Sequence, residues 1–306
     1  MIFLIFFVLS LTDACRILSL SGGGAHGAFQ AGVIKKLHDQ GTTWDIITGI
    51  SVGSFNGIAL GLFSPQYQEK GIDVMVDLWS TITANNVYNY NWNPIYDQAI
   101  LDNSPLNSTI FSIINKYGGI AQRDIIIGSV NLNTGLMRLF NRTDLSSTNR
   151  TNNIVMSSAS IPVIFPPVFF DENYYVDGGT FSNELIMPGI DYCLKKGYTN
   201  ITIDMIICSP PIRNISNTEI YKDTIIGIAS RIYDVVSNVV YNHELYSTCD
   251  NKKKPKVIQL ALPIYIYKPE VEYAGGILDF NHEDIMSSFK MGYNLKQPSV
   301  TKYCVE

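Results

Sequence analysis

Two short stretches carry residues that could perform acyl chemistry. The first is "GISVG", Gly49–Gly53, a G-x-S-x-G between the apolar run "WDIITGI" and the small-residue run "SFNGIALGLF". A turn this tight between a strand and a helix needs glycine on either side of the serine. It pushes the Ser51 hydroxyl out above the sheet as a nucleophile. The second is "SGGGAHG", Ser21–Gly27, between the strand-like "RILSLS" and an amphipathic helical pattern. Its backbone N–H groups lie at a helix N-terminus and suit a negative charge.

That charge could belong to a cofactor phosphate or to an oxyanion formed in acyl transfer. Gly22, Gly24 and Gly27 satisfy the dinucleotide pattern G-x-G-x-x-G. The pattern also needs an acidic residue at the end of the second strand. Here Asp45 stands at that strand's beginning, so no nucleotide is expected. Gly22, Gly23 and Gly24 are read instead as donors to an oxyanion.

Serine also needs a base. In "YVDGG", Tyr175–Gly179, Asp177 ends an apolar strand and is followed by Gly178 and Gly179, which let another backbone come close. A free Asp has a pKa near 3.9, so Asp177 serves as a base only in a shielded site. A histidine base is the alternative. His38 falls on the solvent face of the first helix by pattern. His243 and His282 follow a possible Asp in chain order, so a Ser-His-Asp esterase stays open.

These groups must be carried by a scaffold of alternating strand-like and helix-like runs, which predicts an α/β fold with a largely parallel sheet. Helices are expected over Ala25–Asp39, Gly53–Phe63, residues 66–84, Thr218–Leu245 and His282–Asn294. "DIIIGSVNL" and "LMRLFN" read as paired strands, and "ITIDMIICS" as a late core strand. Asn85–Pro105 reads as a polar, aromatic loop. With 306 residues, 46% of them hydrophobic, one domain over residues 15–306 is the simplest division. The net charge of −5 lacks any basic stripe, so nucleic acid is not expected as a partner.

The N-terminal "MIFLIFFVLSLTDA" holds an apolar run, Ile2–Leu11, too short to span a bilayer and suited to a signal peptide over residues 1–14. It predicts secretion or entry into the secretory pathway; an intracellular, membrane-associated protein is the alternative. The five cysteines, Cys15, Cys193, Cys208, Cys249 and Cys304, show no metal-type spacing and read as scattered buried thiols.

The chain resembles the patatin-like phospholipases. The resemblance rests on "SGGGAHGAFQAGV", "GISVG" and "YVDGG", with support from "DNSPL", "SASIPVIFPPV" and "DFNHEDIMSSFKMGY". It implies a three-layer α/β/α sandwich and a dyad of Ser51 as nucleophile and Asp177 as base, with no catalytic histidine. It also implies oxyanion donors from Gly22–Gly24 and neither metal nor other cofactor. The implied reaction is hydrolysis of carboxylic esters of phospholipids or acylglycerols at a transient lipid interface, through an acyl-serine intermediate. A non-catalytic storage or lipid-binding protein on the same fold is the alternative. His26 departs from the family pattern, which commonly has arginine there. Two aromatic stretches, Val87–Tyr96 and Pro162–Phe170, are candidates for docking to lipid; the second reads more readily as core.

Overall fold

The computed structural model describes residues 14–93, 98–210, 216, 224–249 and 262–304. The expected signal peptide lies outside the described residues except for Ala14, which begins the first strand.

A parallel core is formed by β1 (Ala14–Leu20), β2 (Ile46–Ile50), β5 (Asp124–Asn131), β9 (Asn200–Ile206) and β10 (Leu262–Tyr267), in the order β10-β9-β1-β2-β5. Antiparallel strands extend it. β11 (Val300–Cys304) pairs with β10, and β6 (Leu136–Asn141) with β5. β8 (Asn173–Asp177) pairs with β5, and β7 (Val168–Phe170) with β8. A separate two-residue ladder joins β3 (Asn89–Tyr90) to β4 (Leu101–Asp102).

The central strands are apolar on both faces because both faces are covered. On β1, Leu18 and Leu20 enter the larger core, while Cys15 and Ile17 enter a second core on the opposite face. The larger core holds α1 (Gly27–Asp39), α2 (Val52–Gly61), α3 (Gln68–Thr81), α4 (Ser104–Lys116) and α5 (Thr148–Ser158). α6 (Ile186–Lys195) covers the second. α7 (Ile225–Cys249) sends Tyr233 into the larger core, and α8 (His282–Asn294) packs along α1. The result is the layered α/β/α arrangement expected.

The expected helices form with small shifts. The first starts at Gly27, two residues later than the pattern suggested, because Gly24–His26 make a 3-10 turn first. Residues 66–84 divide into a 3-10 turn, α3 and a second 3-10 turn. The predicted start of α7, residues 218–223, lies outside the described residues.

The cysteine expectation was wrong for one pair. Cys15 and Cys193 form a disulfide, with Cα atoms 6.0 Å apart, that ties β1 to α6. Nothing in the spacing marks the pair, because 178 residues separate its members. Cys208 remains a buried free thiol.

β5 aligns the two motifs that carry the chemistry. Along one edge, Ile50 pairs with Gly128, and at the next rung Asp177 pairs with Ser129. β6 occupies the other edge over the same residues, so β8 continues where β2 stops.

Candidate active site

Ser51 sits immediately beyond β2, with φ 52° and ψ −126°. This strained conformation holds because both flanking glycines are hemmed in by backbone. A Cβ on Gly49 would lie 2.5 Å from the Gly53 carbonyl oxygen, and one on Gly53 2.3 Å from that of Leu20. Strain of this kind concentrates at functional positions. The Ser51 N–H donates to Ser158 Oγ at 2.9 Å, and Ser158 Oγ–H donates to the Gly128 carbonyl at 2.7 Å.

Asp177 is wholly buried at the end of β8. Its N–H donates to the Ser160 carbonyl at 2.9 Å, so the end of α5 and the residues after it hold both Ser51 and Asp177. Oδ1 accepts the Gly179 N–H at 2.7 Å, and among the described residues Oδ2 has no hydrogen-bond partner of full geometry. Burial raises the carboxyl pKa to about 7; hydrogen bonding to Ser51 and to the Gly179 N–H partly opposes the rise. A carboxylate in this range is a competent base near neutral pH.

The glycine loop follows β1. Gly23 and Gly24 have φ of 154° and 54°, conformations that favour glycine. The N–H groups of the loop differ in their partners. The Gly22 N–H is taken by Asn183 Oδ1 at 3.1 Å, and the Ala25 N–H by the Ile277 carbonyl at 2.8 Å. Among the described residues, the N–H groups of Gly23 and Gly24 donate to nothing.

Two side chains that no motif indicated complete the surroundings. Asn183 is fully buried, and its Nδ2 has no hydrogen-bond partner among the described residues. Tyr233, from α7, is 7% exposed, and its phenol lies close enough to Ser51 and Asp177 to be influenced by both. Asn183 follows Asp177 by six residues with no diagnostic spacing, and Tyr233 lies in an otherwise ordinary helical run.

His26 is buried in the 3-10 turn, stacked on Tyr273 with ring centroids 3.8 Å apart, and its Nε2 lies 2.9 Å from the Gly275 carbonyl. Burial lowers its pKa to about 4, so it is neutral near pH 7. It packs against the segment that covers the glycine loop and brings no positive charge there. His243 and His282 are both exposed, whereas Ser51 and Asp177 are buried.

A narrow apolar cavity of about 50 Å³ opens beside Ser51 and Gly24, lined among others by Phe55, Trp79, Ile110, Phe165 and Phe280. Val87 and Phe165, one from each aromatic stretch, both line it. Trp92 is 100% exposed and Tyr90 is 66% exposed; residues 94–97 lie outside the described residues. The second stretch is mixed, since Ile164 and Phe165 are buried while Val163 and Phe169 are exposed. The second stretch is held by the segment that follows the first: the Ile100 and Leu101 N–H groups donate to the Val163 and Ile164 carbonyls, each at 2.9 Å.

The family model described as patatin-like phospholipase matches residues 18–190, and the chain belongs to that family. It is 27% identical over 198 residues to a cGAMP-activated phospholipase of Escherichia coli, covering 55% of this chain and 52% of that one. It is 26% identical over 209 residues to a cGAMP-activated phospholipase of Vibrio cholerae, covering 59% and 58%. It is also 27% identical over 190 residues to Lysophospholipase NTE1 of Candida albicans, covering 60% of this chain and 12% of the relative. The chain therefore spans about half the length of the two bacterial relatives and a small part of the third. Among solved structures it is similar to VipD from Legionella pneumophila, with TM-score 0.44, 15% identity, and coverage of 92% of this chain and 65% of that one.

Proposed function

We propose that the protein is a lipid acyl hydrolase that cleaves carboxylic esters of phospholipids or acylglycerols through an acyl-Ser51 intermediate. The observation that carries this reading is that β2 and β8 meet one edge of β5 at consecutive rungs, Ile50 opposite Gly128 and Asp177 opposite Ser129, so that Ser51, the residue after Ile50, follows directly on the rung next to Asp177. The family and its phospholipase-named relatives support the substrate class.

In the first half-reaction Ser51 Oγ attacks the ester carbonyl and its proton passes to Asp177. The carbonyl oxygen becomes an oxyanion, held by the Gly23 and Gly24 N–H groups. Collapse breaks the bond to the alcohol, which leaves with the proton from Asp177. In the second half Asp177 deprotonates water, which attacks the acyl carbon, and Ser51 is the leaving group. The apolar cavity beside Ser51 suits the start of an acyl chain. Trp92 and Tyr90 suit the headgroup level of a lipid surface. Secretion is part of the proposal, and the disulfide supports it, since such bonds persist in oxidising compartments.

The test is fatty-acid release from mixed phospholipid vesicles by wild type, Ser51→Ala and Asp177→Asn. Release that disappears in both variants supports the dyad. Release that survives in Ser51→Ala overturns it.

A further inference from the structure

Gly22 and Gly179 belong to different motifs, yet the space each leaves by lacking a side chain is filled by the same group. A Cβ on Gly22 would stand 2.3 Å from Tyr233 Oη, 2.7 Å from Asn183 Oδ1 and 3.0 Å from Ser51 Cβ. One on Gly179 would stand 3.0 Å from Tyr233 Oη and from Asn183 Oδ1, and 3.1 Å from Asp177 Oδ1. Together the two glycines leave a slot that admits the Tyr233 phenol to the dyad. Among the described residues Tyr233 Oη, buried there, makes no hydrogen bond of full geometry, although it lies near enough to Ser51 to interact with it. An unsatisfied buried hydroxyl is costly and calls for an explanation. Catalytic hydrogen bonds are often incomplete until the reacting complex forms.

We propose that Tyr233 is a third catalytic group, whose O–H donates to Ser51 Oγ when that oxygen becomes the leaving group of deacylation. The proposal rests on the acyl-Ser51 reading. In deacylation, water forms a bond to the acyl carbon, its proton passes to Asp177, and the oxyanion is held by Gly23 and Gly24. On collapse the bond from the acyl carbon to Ser51 Oγ breaks and its electron pair moves to Oγ. The proton on Asp177 then transfers to Oγ. Tyr233 keeps its own proton throughout and stabilises the charge on Oγ by hydrogen bonding. Burial and the neighbouring Asp177 charge raise the phenol pKa well above its ordinary value, so Tyr233 remains a donor. In acylation the same hydrogen bond withdraws electron density from the attacking oxygen. The contribution therefore falls on the second half-reaction.

Burst kinetics with a p-nitrophenyl ester separate the halves. Tyr233→Phe should keep a burst of p-nitrophenolate equal to the enzyme concentration while its steady-state rate falls by about 10²-fold, the loss typical of one transition-state donor. Intact-mass spectrometry should find the acyl group retained on Ser51. A wild-type steady-state rate, or equal slowing of burst and steady state, overturns the proposal. Removing a hydroxyl with no hydrogen bond of full geometry among the described residues should leave Tm unchanged or higher. If the Phe variant does not fold, ring-fluorinated tyrosine at position 233 serves instead; as a stronger donor it should speed deacylation, and an unchanged rate overturns the proposal. Ser51→Ala should show no burst. If it still turns over, the acyl-enzyme reading fails regardless of Tyr233.

Discussion

Ser51 and Asp177 are brought together by strands that meet β5 one rung apart, Ile50 opposite Gly128 and Asp177 opposite Ser129. The backbone ladder of β5 therefore sets their separation. Because Asp177 is wholly buried and its pKa is raised to about 7, activity should follow its ionisation. On a soluble ester, kcat/KM should rise with pH to a plateau above a midpoint near 7. A flat profile between pH 5 and 8 would exclude Asp177 as the base.

The same shift implies a cost in stability. The unfolded chain releases the Asp177 proton above about 3.8, while the folded protein keeps it until about 7. Folded stability from this group is thus fully present below pH 3.8 and is lost as pH rises through 7, by about 4 kcal/mol. Asp177→Asn should raise the urea midpoint at pH 8 and leave it nearly unchanged at pH 3.5, even as activity disappears.

His26 has the opposite sign. Its folded pKa of about 4 lies below the ordinary 6.5, so the unfolded chain binds the proton first as pH falls. Its contribution is complete above 6.5 and is lost on acidification toward 4, by about 3 kcal/mol. His26→Gln should flatten the stability profile across that interval, measured as urea midpoints at half-unit steps of pH.

Ser158 holds the backbone of the strained Ser51 turn. Ser158→Ala leaves the Ser51 N–H buried without an acceptor, at a cost of about 1–3 kcal/mol. Labelling of Ser51 by a fluorophosphonate should slow about fivefold or more where that cost falls on the reactive turn, since 1.4 kcal/mol corresponds to a factor of ten. Unchanged labelling would mean that the glycines alone hold the turn.

Trp92 tests the proposed lipid-facing surface. Trp92→Ala should lower vesicle binding and fatty-acid release from vesicles, while turnover of a soluble ester stays within twofold, since the residue is wholly exposed. Equal losses on both substrates would assign Trp92 to folding.

Much of the candidate site's backbone was legible in the sequence because most of its glycines are dictated locally. Gly49 is crowded by its own turn, and Gly23 and Gly24 take positive φ, so short motifs recorded the constraint; Gly53 is crowded instead by Leu20 and Ser21 at the end of β1. The α/β layering was legible from apolar strands alternating with helical patterns. What escaped was set at long range. Tyr233 reaches Ser51 from a helix whose pattern only says that one face is buried. Asn183 takes the Gly22 N–H from 161 residues away, which leaves the Gly23 and Gly24 N–H groups as the ones the proposal uses. The Cys15–Cys193 bond was equally invisible among five cysteines.

β1 is the first strand described, yet it lies inside the sheet, pairing with β2 on one side and β9 on the other. Ile17 faces Ile46 early in the chain and Ile203 much later. A ribosome would deliver β1 and β2 well before β9, leaving an apolar strand edge open through most of synthesis. Closing contacts so distant in sequence is slow, and open edges invite aggregation. Expression of this protein should therefore depend on chaperones that shield the nascent chain until β9 emerges.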